Sequence, residues 1–223
     1  MQRRKFSLGL VAGLACTTGL QNFAMAQEEK QDKEQEIQLE EGKNFWVVKP
    51  RLTNDAPEGK ILVTEFFSYS CNHCYAFEPL FEQWEKEVPT DLVVVNRVPV
   101  SFRPLVEPHA ALFYTLEALG RMDLHIAAYD SVLNKKQYLL KPEEIQAFFT
   151  EHQVADVEEA MKIYSSFGIQ AKVQRANRLV EAYGIEGTPS VGIAGMYYVT
   201  GASKQTTKIA DELINRAKKE LGI

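Results

Sequence analysis

The sequence predicts an α/β fold in which a set of strands is interrupted by a block of helices. Three observations carry that expectation. A near-continuous apolar run, Ile61–Phe67, ends in a short Ser/Tyr turn. At Cys71 the chain then enters a helical pattern whose Phe77, Leu80, Phe81, Trp84 and Val88 recur at three- and four-residue spacing. From Pro104 to about Phe167 no strand signal appears, only amphipathic helical stretches. Beyond Gly187-Thr188-Pro189 the chain returns to short apolar strands and closes on one more amphipathic helix.

Residues 1–26 read as an export signal. Arg3, Arg4 and Lys5 form its basic start, residues 6–20 are mostly apolar, and Ala24-Met25-Ala26 is a small-x-small cleavage pattern. The apolar part is too short and interrupted to span a membrane. Arg3-Arg4-Lys5-Phe6 leaves both Sec and twin-arginine export open. Residues 27–42 are rich in Glu, Gln and Lys, bury too little to offset their chain entropy, and are expected to be a flexible acidic leader. Residues 44–48 are expected as a first strand, closed by Lys49-Pro50, and residues 54–59 as a turn cluster. The strand over 60–67 has the unbroken apolar character of one buried on both faces. The cysteine-led helix contains Pro79, and residues 91–100 read as a third strand. Helices are expected over 109–119, 122–133, 142–152 and 157–167, with a longer one over 171–183. Residues 191–194 and 196–200 pair as a hairpin around Gly195, and residues 204–221 bury Ile209, Leu213, Ile214 and Ala217. The domain boundaries that follow are 43–103 and 168–223 for two parts of one α/β domain and 104–167 for an inserted helical domain.

Cleavage after Ala26 removes Cys16, so the mature chain keeps two of its three cysteines, Cys71 and Cys74. A secreted scaffold stapled by disulfides carries several pairs at wider spacing; one Cys-x-x-Cys pair points instead to redox chemistry. Cys71 falls where a strand hands over to a helix N-terminus, where free N–H groups and the positive dipole end stabilise a thiolate. It is expected to have a depressed pKa and to be the attacking sulfur, with Cys74 one turn further in and less exposed. His73 is placed to hold positive charge or donate a hydrogen bond beside that thiolate. Glu65, inside the apolar strand, is expected to have a raised pKa and to exchange a proton with Cys74; its plainer reading is a salt-bridged strand residue. Arg97 either faces Glu65 or points to solvent; alternation does not decide. Pro189, between a Gly and a strand, is a candidate cis-proline in a tight turn.

Glu-Phe-Phe-Ser before the cysteines, His73 between them, Tyr75-x-Phe77-Glu78 after them and the Gly187-x-Pro189 turn resemble the DsbA family of the thioredoxin superfamily. The resemblance extends upstream to Glu41-Gly42-Lys43 and Pro50. It implies a thioredoxin fold with an inserted helical domain, and a periplasmic thiol:disulfide oxidoreductase that donates its Cys71–Cys74 disulfide to reduced exported polypeptides. It also implies that Thr188 and Pro189 bind substrate and that a DsbB-type membrane partner restores the disulfide. Asn72 stands where the family usually has Pro and marks the position that tunes the redox potential.

Other chemistries of a Cys-x-x-Cys pair fit less well. Haem attachment needs His after the second cysteine, where Tyr75 stands, and structural zinc needs four ligands, which His109, His125 and His152 do not supply at ligand spacing. Those histidines are expected on the surface or as satisfied structural residues, and Trp84 in the core. Two alternatives stay open: an isomerase or reductase of the same superfamily, and a soft-metal chaperone using Cys71, Cys74 and His73. A net charge of −5 with no basic patch argues against nucleic-acid binding. No cofactor or metal is expected, and the mature chain is expected to be a monomer that does not span the membrane.

Overall fold

The computed structural model describes residues 37–223, so the export signal, Cys16 and the start of the acidic leader lie outside the described residues. Strands β1 (Trp46–Val47), β2 (Ile61–Phe67), β3 (Val93–Pro99), β4 (Ser190–Ile193) and β5 (Tyr197–Thr200) form one sheet of order β1-β5-β4-β2-β3. β3 runs parallel to β2, while β4 and β5 are antiparallel to their neighbours. Helix α1 (Asn72–Glu87) connects β2 to β3. The inserted helices are α2 (Glu107–Ala118), α3 (His125–Leu133), α4 (Pro142–Glu151) and α5 (Val157–Tyr164). The long α6 (Phe167–Tyr183) then leads back to β4, and α7 (Lys204–Leu221) ends the fold.

β2 is central because only an unbroken apolar strand can be covered on both faces. Its Val63 joins Phe77, Phe81 and Trp84 of α1 and Leu213 of α7 in one core cluster, and its Phe66 and Phe67 join the inserted helices in another. Trp84 Nε1 donates to Asp211 Oδ1 at 2.8 Å and ties α1 to α7.

The hairpin between β4 and β5 turns through Ala194 and Gly195, both left-handed at φ 55° and 67°, and the Met196 N–H closes the turn on the Ile193 carbonyl at 2.9 Å. In β4, Gly192 gives way to a ring: a Cβ there would lie 2.5 Å from Tyr183 Cε1 and 3.0 Å from Phe66 Cε2. Tyr183 cannot swing aside freely, because its hydroxyl accepts the Gly195 N–H at 2.9 Å. Gly192→Ala is therefore expected to destabilise the fold by about 1–3 kcal/mol, read as a lowered urea midpoint at unchanged m-value.

Several elements differ from the sequence expectation. The first strand is only two residues long, because Phe45 and Val48 turn into the core at its ends. The helix expected over 122–133 opens with a 3₁₀ turn, Met122–Leu124, before α3 begins. Phe167 does not end α5 but begins α6: Ser166 caps the new helix, its Oγ accepting the Ile169 N–H at 3.3 Å. Residues 37–42, placed in the leader, are tied to the domain. Ile37 and Leu39 pack against the α1/α7 core, and Asn44 Nδ2 donates to the Gln38 carbonyl at 2.8 Å. His109 fits the structural role expected of it, buried with its Nε2 at the Tyr138 carbonyl, whereas His125 is buried in an aromatic box with no directed hydrogen bond at its Nε2.

Candidate active site

The apolar strand β2 delivers the chain to the sheet's end, and the Ser68–Ser70 turn sets Cys71 as the N-cap of α1. Its sulfur accepts the Cys74 N–H at 3.1 Å, one of the donors that a helix start leaves without an intrahelical partner. Cys71 is half-buried and Cys74 fully buried, and both are free thiols. From the far end of the sequence the loop before β4 arrives with a cis Thr188–Pro189 bond and lays the Thr188 carbonyl 3.4 Å from Cys71 Sγ.

The two sulfurs sit in opposed environments. The Cys74 thiol, as hydrogen-bond donor, does most to lower Cys71 from 9.0 to about 6; burial opposes it, while Thr188 and the N–H groups of Cys74 and His73 add to it. Burial, then the neighbouring Cys71 sulfur, pushes Cys74 far above its ordinary value. Cys71 is therefore the thiolate and Cys74 the thiol, and the pair titrates as a unit. The His73 side chain is exposed and makes no hydrogen bond among the described residues; its backbone N–H is what acts on Cys71. Asn72 is exposed at the first position of α1.

Beneath the cysteines lies a charged cluster. Glu65 pairs across the ladder with Arg97, so the alternation left open by the sequence resolves toward contact: Arg97 Nε is 3.1 Å from Glu65 Oε2. Arg97 also reaches Glu78 at 2.8 Å and Glu85 at 2.9 Å. Burial, then repulsion from Glu78, raises Glu65 well above the carboxylate range, with Arg97 opposing. Burial also works to raise Glu78, but His125 and Arg97 outweigh it and hold Glu78 below its ordinary value.

Glu78, Tyr69 and His125 escaped the sequence reading as site residues. Glu78 left a signal: with Cys74, Phe77 and Phe81 it occupies the buried face of α1, where an acid needs a partner. His125 left none, since its place depends on how α3 docks. A cavity of about 460 Å³, lined by Thr64, Asn96, Tyr114 and Tyr183 among others, includes none of the cysteines or the charged cluster.

A strand that ends on a low-pKa, helix-capping cysteine, a buried second cysteine one turn on, and a backbone carbonyl set against the first define a thiol:disulfide oxidoreductase of the thioredoxin class. A thioredoxin family model matches residues 54–216. The chain is 37% identical over 182 residues to the thiol:disulfide interchange protein DsbA of Burkholderia cepacia, covering 79% of this chain and 85% of that one. It is 35% identical over 165 residues to DsbA of Pseudomonas aeruginosa strain PAO1, covering 72% and 77%. The crystal structure of Pseudomonas aeruginosa DsbA matches with a TM-score of 0.76 at 33% identity, spanning 82% of this chain and 96% of that one. The chain belongs to the DsbA family of thiol:disulfide interchange proteins.

Proposed function

We propose that the protein works in the periplasm, donating its Cys71–Cys74 disulfide to reduced exported polypeptides. The observation that carries this reading is the split between the sulfurs, Cys71 lowered to about 6 and Cys74 raised. A stabilised Cys71 thiolate favours the reduced enzyme, which makes the disulfide oxidising.

In the first step a substrate thiolate attacks Cys71 Sγ. The Cys71–Cys74 bond breaks, and Cys74 leaves with the electron pair and takes the proton held by Glu65. Without that proton the buried Cys74 thiolate is a poor leaving group. In the second step another substrate thiolate attacks the substrate sulfur of the mixed disulfide. Cys71 departs as a thiolate, the substrate has lost two electrons, and the enzyme has gained them. Thr188 and Pro189 present an extended backbone against which a substrate segment pairs in strand fashion. The backbone N–H groups of Cys74 and His73 bear on the Cys71 sulfur, and Asn72 and His73 occupy the two positions between the cysteines that tune the couple. A DsbB-type membrane oxidant restores the disulfide. Residues 43–103 and 168–223 act as one thioredoxin-like domain with residues 104–167 as the inserted helical domain, and the enzyme acts as a monomer.

The test pairs two measurements on the mature protein. Ultraviolet titration of the Cys71 thiolate is expected to give a midpoint near 6, and equilibration with glutathione a strongly oxidising couple. A thiol of ordinary pKa with a reducing couple would overturn the reading in favour of a reductase.

A further inference from the structure

Three carboxylates, Glu65, Glu78 and Glu85, surround the single guanidinium of Arg97. Glu85 is 35% exposed and has water to share its charge, whereas Glu65 and Glu78 are both 0% exposed. One buried cation does not compensate two buried anions, so either one acid keeps a proton or a second cation is at hand. The split between the two acids is already visible in their contacts. Arg97 Nε donates a directed hydrogen bond to Glu78 Oε1 at 3.0 Å, with Nη2 in ion-pair contact at 2.8 Å, while neither oxygen of Glu65 has a directed hydrogen bond.

His125 stands on the far side of Glu78. Its Nε2 lies 3.5 Å from Glu78 Oε2, an electrostatic contact rather than a directed hydrogen bond, and neither atom has another partner among the described residues. Its Nδ1 is fixed 2.8 Å from Tyr69 Oη. Around the ring stand Phe67 of β2, Tyr69 of the turn, Phe113 of α2 and Tyr129 of its own helix. Burial holds both tyrosines protonated, so Glu78 is the one charged group in contact with His125 among the described residues; Glu65, Arg97 and Glu85 lie beyond it.

We propose that His125 is a positioning residue of the reaction: by holding Glu78 as the carboxylate, it leaves the shared proton of the cluster on Glu65, where the departing Cys74 sulfur needs it. The inference rests on the reading of Glu65 as the proton donor to Cys74. It also gives the helical insertion a chemical part, since α3 supplies the group that sorts the proton between an acid on α1 and an acid on β2. Without His125, Glu78 takes the proton more readily, Arg97 is freed toward Glu65, and Glu65 ionises at lower pH.

The test is stopped-flow reduction of the oxidised mature protein by dithiothreitol over a range of pH, with rates expressed per dithiothreitol thiolate. In the wild type the corrected rate falls as pH rises through the Glu65 titration. His125→Gln is expected to lower that midpoint by about one unit. His125→Phe, which suits the aromatic box and cannot hydrogen-bond, is expected to do the same. Glu65→Gln is expected to remove the step, and His125→Gln added to it to change nothing further. Should either histidine variant keep the wild-type midpoint while folded, His125 has no such role and the Glu65 reading stands. If Glu65→Gln keeps the wild-type step, that reading fails and the proposal falls with it.

Discussion

Replacing Cys71 by Ser is expected to lower disulfide transfer to a reduced polypeptide by at least about a thousandfold, because the half-buried sulfur of the pair, the one a substrate thiolate attacks, is gone and Cys74 is buried. Cys74→Ser behaves differently: Cys71 is still a nucleophile that attacks a disulfide already formed in the substrate and releases one substrate thiolate, and without Cys74 to resolve them these mixed disulfides accumulate. The measurement is oxidative refolding of a reduced test protein, with non-reducing electrophoresis to display trapped adducts. Activity retained in the Cys71 variant would remove the sulfur from the mechanism altogether. The same substitution also reports on stability. In the folded, reduced protein Cys71 ionises at about 6, against 9.0 ordinarily. Between those values the unfolded chain binds more protons than the folded one, so stability rises with pH. Reduced wild type should therefore match Cys71→Ser below pH 6, pull ahead as pH rises from 6 toward 9, and keep a constant lead above that. Urea unfolding under argon at three pH values checks the sign.

Arg97→Met is expected to have the largest effect on folding, a loss of about 3–5 kcal/mol at neutral pH. The Arg97 side chain is 15% exposed and faces two acids with no solvent of their own. Removing it leaves the Glu78 carboxylate buried without its nearest cation and makes Glu65 harder still to ionise. Both acids then hold protons more tightly in the folded state than in the unfolded chain, so the variant should recover part of its deficit as pH is lowered from 7 toward 5. Urea unfolding at the two pH values checks this. A loss below about 1 kcal/mol at neutral pH would mean that water reaches the cluster and screens it.

Much of this architecture is legible along the chain. The unbroken apolar run of β2, the three- and four-residue spacing of α1 and the amphipathic pattern of α7 each require a specific element at a specific place, and the structure has them there. Cys71 is readable because a helix N-cap is a local fact. What the sequence left open depends on contacts between distant segments. Arg97 sits on an edge strand, where alternation says which residues share a face but not which face an arginine prefers. His125 and Glu78 are 47 residues apart, and nothing near either one names the other. Boundaries slipped where one side-chain oxygen makes the decision, as Ser166 does by capping α6 one turn earlier than the apolar pattern suggests.

β2 is flanked by β3, encoded just after it, and by β4, encoded on the far side of the helical insertion. The two neighbours therefore become available at very different moments on a chain that emerges N-terminus first. Until residues 190–193 have appeared, one edge of the strand that leads to Cys71 stays unpaired, and Thr188 does not yet stand over the sulfur. During that interval the most reactive thiol of the protein is also its least protected. A newly made molecule thus begins as a candidate substrate for its own finished copies, and an aggregation-prone edge closes only when the last quarter of the chain is in place.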